Sequence, residues 1–110
     1  MRATILHNPR CSKSRAALAL LEEAGAEVTV VDYLRAPPDR NELARLLERA
    51  GLHPRDALRP EAKEAVAPQA DDDAVLAAMA ANPALIERPL VETERGARLC
   101  RPPERVLGLL

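Results

Sequence analysis

An α/β fold built on a mixed sheet, ordered βαβ, helical insert, ββα, is predicted by three observations. Near the start, a short apolar run (Ala3, Thr4, Ile5, Leu6) precedes a segment with helical spacing and then a valine-rich run. Pro37-Pro38 then breaks the chain ahead of two more helical patterns. Toward the end, two short apolar runs flank Arg95-Gly96, and Pro102-Pro103 opens a last helix.

Each element has a local cause. Ala3–His7 reads as a strand ended by Asn8-Pro9, because a residue before proline leaves the helical region. From Ser12 to Ala24, positions 17, 20, 21 and 24 carry Ala, Leu, Leu and Ala on one helix face, and Gly25 terminates it. Glu27–Tyr33, with Val28, Val30 and Val31, is the second strand. Strand, helix and strand within about thirty residues make a βαβ unit with a right-handed crossover. Asp39 and Glu42 match a capping box ahead of Leu43, Leu46, Leu47 and Ala50, with Gly51 at the end. His53 to Gln69 is polar and punctuated by proline, with room for short helical turns. Asp71-Asp72-Asp73 caps a helix bearing Val75, Leu76 and Met79, which Asn82-Pro83 ends. Leu90–Thr93 and Ala97–Cys100 form a hairpin, and Val106, Leu107 and Leu110 give the last helix its apolar side. This order is the thioredoxin-like plan, as a single domain over 1–110 with the insert at about 38–84.

Composition narrows the function classes. The net charge is −1, so no basic footprint points to nucleic acid or an anionic membrane. The longest apolar stretch, Ala16 to Leu21, is too short for a signal peptide or a span. Tyr33 is the only aromatic residue, which nearly excludes stacking on bases or sugars. Two cysteines without a secretory leader read as thiols in a reducing cytoplasm. Two histidines and two cysteines this scattered give no metal spacing, and no metal site is expected.

One cysteine sits at the seam between the first strand and first helix, in His7-Asn8-Pro9-Arg10-Cys11-Ser12-Lys13-Ser14-Arg15. There, unpaired backbone N–H groups and the helix dipole favour an anion, and His7, Arg10, Lys13 and Arg15 add cations nearby. A shift of about two pKa units corresponds to roughly 2.7 kcal/mol, within reach of these effects together. Most free cysteines are small buried hydrophobes. This placement argues instead for Cys11 as a nucleophilic thiolate. Ser14 stands where a dithiol oxidoreductase carries its second cysteine, so Cys11 has no local disulfide partner. Its hydroxyl either donates to the thiolate or simply occupies the first helical turn. Cys100 reads first as a core thiol and second as a redox group.

Four segments, HNPRCSKSR, VVDYLRAPPDRNEL, IERPLV and RLCRPPERVL, resemble in order and spacing the glutaredoxin-coupled ArsC arsenate reductase family. The resemblance covers the whole chain and is nearest to the short arsenate reductase-like members. It implies a thioredoxin-like fold and Cys11 as the nucleophile toward arsenate. Arg59, Arg88 and Arg101 would bind the oxyanion, since guanidinium groups hold tetrahedral oxyanions by paired, charge-assisted hydrogen bonds. The segment after Arg59 is shorter than the family pattern and lacks its tyrosine. His7 matches the family histidine and either tunes Cys11 or finishes the first strand, with Asn8 shaping the loop. Pro89 falls where thioredoxin-like folds hold a cis-proline opposite the nucleophile.

The resemblance further implies reduction of arsenate to arsenite through a covalent Cys11 adduct. Glutathione is the co-substrate, glutaredoxin the partner, and no cofactor is bound. A monomer is expected. The alternatives are a related thiol reductase or glutathione-dependent enzyme on another substrate, and a Spx-like regulator that binds RNA polymerase. Those regulators use a C-x-x-C switch, which Ser14 breaks.

Overall fold

The computed structural model describes residues 1–110 and shows a four-stranded mixed sheet. Its strands are β1 (Arg2–His7), β2 (Glu27–Asp32), β3 (Leu90–Thr93) and β4 (Gly96–Leu99), in the order β2-β1-β3-β4. β1 runs parallel to β2, with His7 opposite Asp32, and antiparallel to β3, with Leu6 opposite Leu90. β3 and β4 form the expected hairpin. Helix α1 (Ser12–Glu23) supplies the crossover from β1 to β2, while α2 (Arg40–Arg49) and α3 (Asp72–Ala81) lie between β2 and β3. The fold is thioredoxin-like, as the order of elements predicted.

Strand alternation divides the core into two layers. Ala3, Ile5 and Val91 face one side, where they pack with Ala17 and Leu21 of α1 and with Cys100, Val106 and Leu109. Leu6 and Leu90 face the other, against Leu43, Leu46 and Leu47 of α2 and Val75, Leu76 and Met79 of α3. The two central strands are thus covered on both faces. β2 lies at an edge, and Val30 remains half exposed.

The caps explain where the insert helices begin. Asp39 accepts a hydrogen bond from the N–H of Glu42 at 2.8 Å, and Asp71 accepts from that of Ala74 at 2.8 Å. The Glu42 carboxylate does not complete the box; it accepts from Arg45 instead. The proline-punctuated segment contains two 3-10 turns, Pro54–Ala57 and Pro60–Ala65. The last helix differs from its expected form. Pro103–Leu109 is a 3-10 helix that buries Val106 and Leu109 but leaves Leu107 about half exposed. Hydrogen bonds from outside the helix hold it, from Thr93 Oγ1 to the Leu109 carbonyl and from Arg98 to that of Arg105.

Glu92 of β3 joins the insert to the sheet, accepting from Arg45 at 2.8 Å and from Arg49 at 2.7 Å. The hydrogen bonds of Arg45, opposed by partial burial and aided by Arg49, bring its carboxyl down to about 2. A lowered carboxylate pKa contributes stability that is present above the ordinary carboxylate value and lost as pH falls through about 2. Both arginines are partly exposed, so screening leaves the contribution at about 1–2 kcal/mol. Glu92→Gln should lower unfolding free energy at pH 7 by that amount and flatten the acid limb, as urea titrations at pH 7 and 3 would show.

Candidate active site

The loop from β1 to α1 places Cys11 at the helix N-cap, in extended conformation (φ −93°, ψ 120°), with no side-chain cap bond. Its own N–H bonds to the Asn8 carbonyl at 3.0 Å, and its carbonyl begins the helix by accepting from Arg15 at 3.0 Å. The residue is only 9% exposed. Burial raises its pKa, but the backbone N–H groups of Ser14 and Lys13, with the Arg88 and Arg101 guanidiniums, outweigh burial and hold it below an ordinary thiol. The expected cations at Arg10, Lys13 and Arg15 are not among these causes. The helix terminus and two distant arginines act instead.

Ser14 sits in the first turn of α1, and its hydroxyl does not go to the thiolate. Its backbone N–H faces the Cys11 sulfur, while its buried hydroxyl lies 2.6 Å from His7 Nδ1. The same Oγ accepts from the Asn8 N–H at 3.1 Å, which leaves the hydroxyl proton free for the imidazole. His7 is buried. Burial lowers its pKa, Asp32 opposes the shift and Arg15 adds to it, so the neutral ring is favoured near neutral pH. His7, Ser14 and Asn8 therefore lock the turn that presents Cys11.

The remaining groups come from the other end of the chain. Arg101 Nη1 lies 3.8 Å from Cys11 Sγ and donates to the Arg88 carbonyl at 3.1 Å. This draws the segment before β3 alongside the thiol. The Arg88–Pro89 peptide is cis, as expected, and Arg101–Pro102 is cis as well. Glu87, 8% exposed, accepts from Arg88 Nη1 at 3.1 Å and lies 3.8 Å from Arg101 Nε. Arg59 reaches the same region because its N–H bonds to the Leu85 carbonyl and the Glu87 N–H to that of Ala57, stitching the 3-10 turns to this segment. Arg59 also pairs with Glu61. The Nε atoms of Arg59 and Arg88 are buried without a hydrogen-bond partner.

Two contributors were not singled out from sequence. Tyr33 is 1% exposed and lies against this cluster. Burial raises its hydroxyl pKa, while Arg88, Arg59 and the Asn8 amide pull it down. The signal was its position just after β2, whose C-terminal end adjoins that of β1 in a parallel pair. Glu87 was visible only as a neighbour of Arg88. Its role in holding two guanidiniums required the fold.

The ArsC family pattern matches residues 6–109. The chain belongs to the ArsC family. The arsenate reductase of Rhizobium meliloti (strain 1021) is 46% identical over 115 residues, covering 100% of this chain and 82% of the relative. That of Escherichia coli (strain K12) is 42% identical over 112 residues, covering 97% and 79% respectively. Among solved structures, the arsenate reductase from Vibrio cholerae superposes with a TM-score of 0.92 at 46% identity, covering 100% of this chain and 98% of that one.

Within this ArsC fold the second cysteine stands apart. Cys100 is fully buried in the α1-side core, and burial raises its pKa to about 11 despite Arg105 and Arg98. Iodoacetamide at pH 7.5 should therefore label Cys11 in the native protein and leave Cys100 unmodified until denaturant is added. Peptide mass spectrometry checks this, and labelling of Cys100 first would reverse the assignment.

Proposed function

We propose that this ArsC-family chain is a thiol oxidoreductase that reduces arsenate to arsenite, using glutathione and glutaredoxin in a reducing cytoplasm. The observation that carries the reading is a lowered-pKa thiol at a helix N-terminus, with a guanidinium 3.8 Å away and two buried guanidinium N–H groups lacking partners. Such donors suit a tetrahedral oxyanion. The relatives named arsenate reductase support the substrate.

In this reading the Cys11 thiolate attacks arsenic, a sulfur–arsenic bond forms, and hydroxide leaves with arsenic still at +5. Arg59, Arg88 and Arg101 hold the oxygens and offset the charge that would repel a thiolate. The glutathione thiolate displaces a second hydroxide. A glutaredoxin thiolate then takes the glutathione sulfur as a disulfide, and the broken bond leaves its electron pair on arsenic, now +3. Water releases arsenite and restores the Cys11 thiol. Cys100 is fully buried, which supports electrons supplied from outside the chain. The test is NADPH consumption in a mixture of the protein, arsenate, glutathione, glutaredoxin and glutathione reductase. Arsenate-dependent consumption supports the reading. Consumption no faster than without the protein would overturn it.

A further inference from the structure

Beside the thiol, but outside the arginine cluster, lies an open cleft of about 330 Å³ lined by Asn8, Pro9, Arg10, Asp32, Leu34 and Arg35. It occupies the crevice beyond the C-terminal ends of two parallel strands, β1 and β2, where open α/β sheets place ligands. Its volume falls within the range of roughly 300–1,000 Å³ typical of small-molecule sites.

The lining has a definite chemistry. Arg10 and Arg35 provide two exposed guanidiniums, and Asp32 provides one carboxylate, 3.8 Å from Arg35 Nε. Leu34 is 41% exposed, one of few large apolar side chains in the molecule open to solvent. Asn8 offers an amide at the end nearest the thiol. Two cations, one anion and an apolar floor complement a short peptide with two carboxylates and one ammonium group. Asn8 also connects the cleft to the thiol: its carbonyl bonds to the Cys11 N–H, and its amide lies against the Tyr33 hydroxyl. An extended tripeptide spans roughly 10 Å, whereas Arg10 and Cys11 are adjacent, with Cα atoms about 3.8 Å apart. A peptide seated here therefore holds its central thiol within a few ångströms of the Cys11 backbone, on the side from which it would approach arsenic bound to the Cys11 sulfur.

We propose that this cleft is the seat of the anionic peptide thiol, glutathione, with Arg10 and Arg35 on its carboxylates and Asp32 on its ammonium group. The proposal rests on the thiol-dependent reading above and adds the place and orientation of the second substrate. Arsenate and thiol then approach Cys11 from separate sites, and neither has to leave for the other to bind.

The binding test needs no arsenate, so it stands apart from the fate of the proposed reaction. S-methylglutathione, which cannot react, is titrated into the reduced, ¹⁵N-labelled protein and amide shifts are followed. Saturable shifts centred on Asn8–Arg10 and Asp32–Arg35, weakened at least about tenfold in the double variant Arg10→Glu, Arg35→Glu, are expected. Leu34→Asp, on an exposed side chain, should weaken binding as well. Each variant's amide spectrum shows independently that the chain remains folded. Shifts centred on Arg59, Arg88 and Arg101, no saturable shifts, or unchanged affinity in the double variant would each overturn the proposal. Arsenate turnover, measured separately, decides only the reaction.

Discussion

Replacing Cys11 with serine is expected to bring arsenate turnover down to background, a loss of at least about a thousandfold, while the fold persists. Serine is nearly isosteric and keeps the backbone bonds that start α1, from Cys11 N–H to Asn8 and from Arg15 to the Cys11 carbonyl. What it lacks is an ionised nucleophile at neutral pH. The environment that opposes burial and lowers the Cys11 pKa stabilises a thiolate and has little effect on a neutral hydroxyl. The same shift carries a sign in stability. A folded-state pKa held below that of the unfolded chain contributes stability present above the unfolded value and lost as pH falls through the folded one. Cys11→Ser should therefore lose that contribution at alkaline pH and match the parent at low pH. In the parent, alkylation of Cys11 should rise with pH and level off below the pH at which a free thiol would. Turnover, urea unfolding at two pH values and alkylation rates check these outcomes together. Residual turnover within tenfold of the parent would remove Cys11 from the chemistry.

Local signals were enough to read most elements. Breakers such as Asn8-Pro9, Pro37-Pro38 and Asn82-Pro83 mark element boundaries because proline acts on the backbone beside it. Asp39 and Asp71 cap helices through bonds to residues three positions on, again a local matter. The Pro103–Leu109 segment was harder. A few apolar residues after Pro102-Pro103 read the same for an α-helix as for a 3-10 helix, and the bonds that hold it come from Thr93 and Arg98 on the hairpin.

The candidate site follows the same division. Cys11 was legible because its setting, a strand end followed by a helix start, is written in neighbouring residues. The source of its lowered pKa was only half legible. Arg10, Lys13 and Arg15 are near in sequence, yet the cations that act on the sulfur are Arg88 and Arg101, which flank the β3–β4 hairpin. Ser14 shows the limit of spacing arguments most clearly. Its place in the motif allowed either a bond to the thiolate or a seat in the first helical turn; it takes that seat, and its hydroxyl pairs with buried His7 at the end of β1. Tyr33 and Glu87 needed tertiary structure, since Tyr33 meets Arg59 and Arg88 from before the start of the helical insert and Glu87 meets Arg101 across the β3–β4 hairpin.

The second large effect is expected at the guanidiniums. Arg101 donates to the Arg88 carbonyl while lying 3.8 Å from Cys11 Sγ, so one planar group spans the thiol and the segment before β3. Both contacts come from Nη1 while Nε faces Glu87, and lysine would keep the charge but lose this planar spread of donors. Arg101→Lys should weaken binding of arsenate or sulfate and raise the Cys11 pKa, because a direct partner of the sulfur is lost. Arg88→Lys should also weaken anion binding but leave the Cys11 pKa nearly unchanged, since Arg88 acts on the thiol through charge. Loss of one charged hydrogen bond costs about 1.5–3 kcal/mol, which corresponds to roughly tenfold to more than a hundredfold in affinity. The Arg88 side chain is 14% exposed and held by Glu87, so its lysine variant should lose some stability too; that of Arg101, at 35%, should lose less. Calorimetric titration with arsenate and alkylation against pH separate these contributions. Unchanged anion affinity in both lysine variants would reduce the two arginines to structural partners of Glu87, and Cys11 would remain as a thiol without an oxyanion clamp.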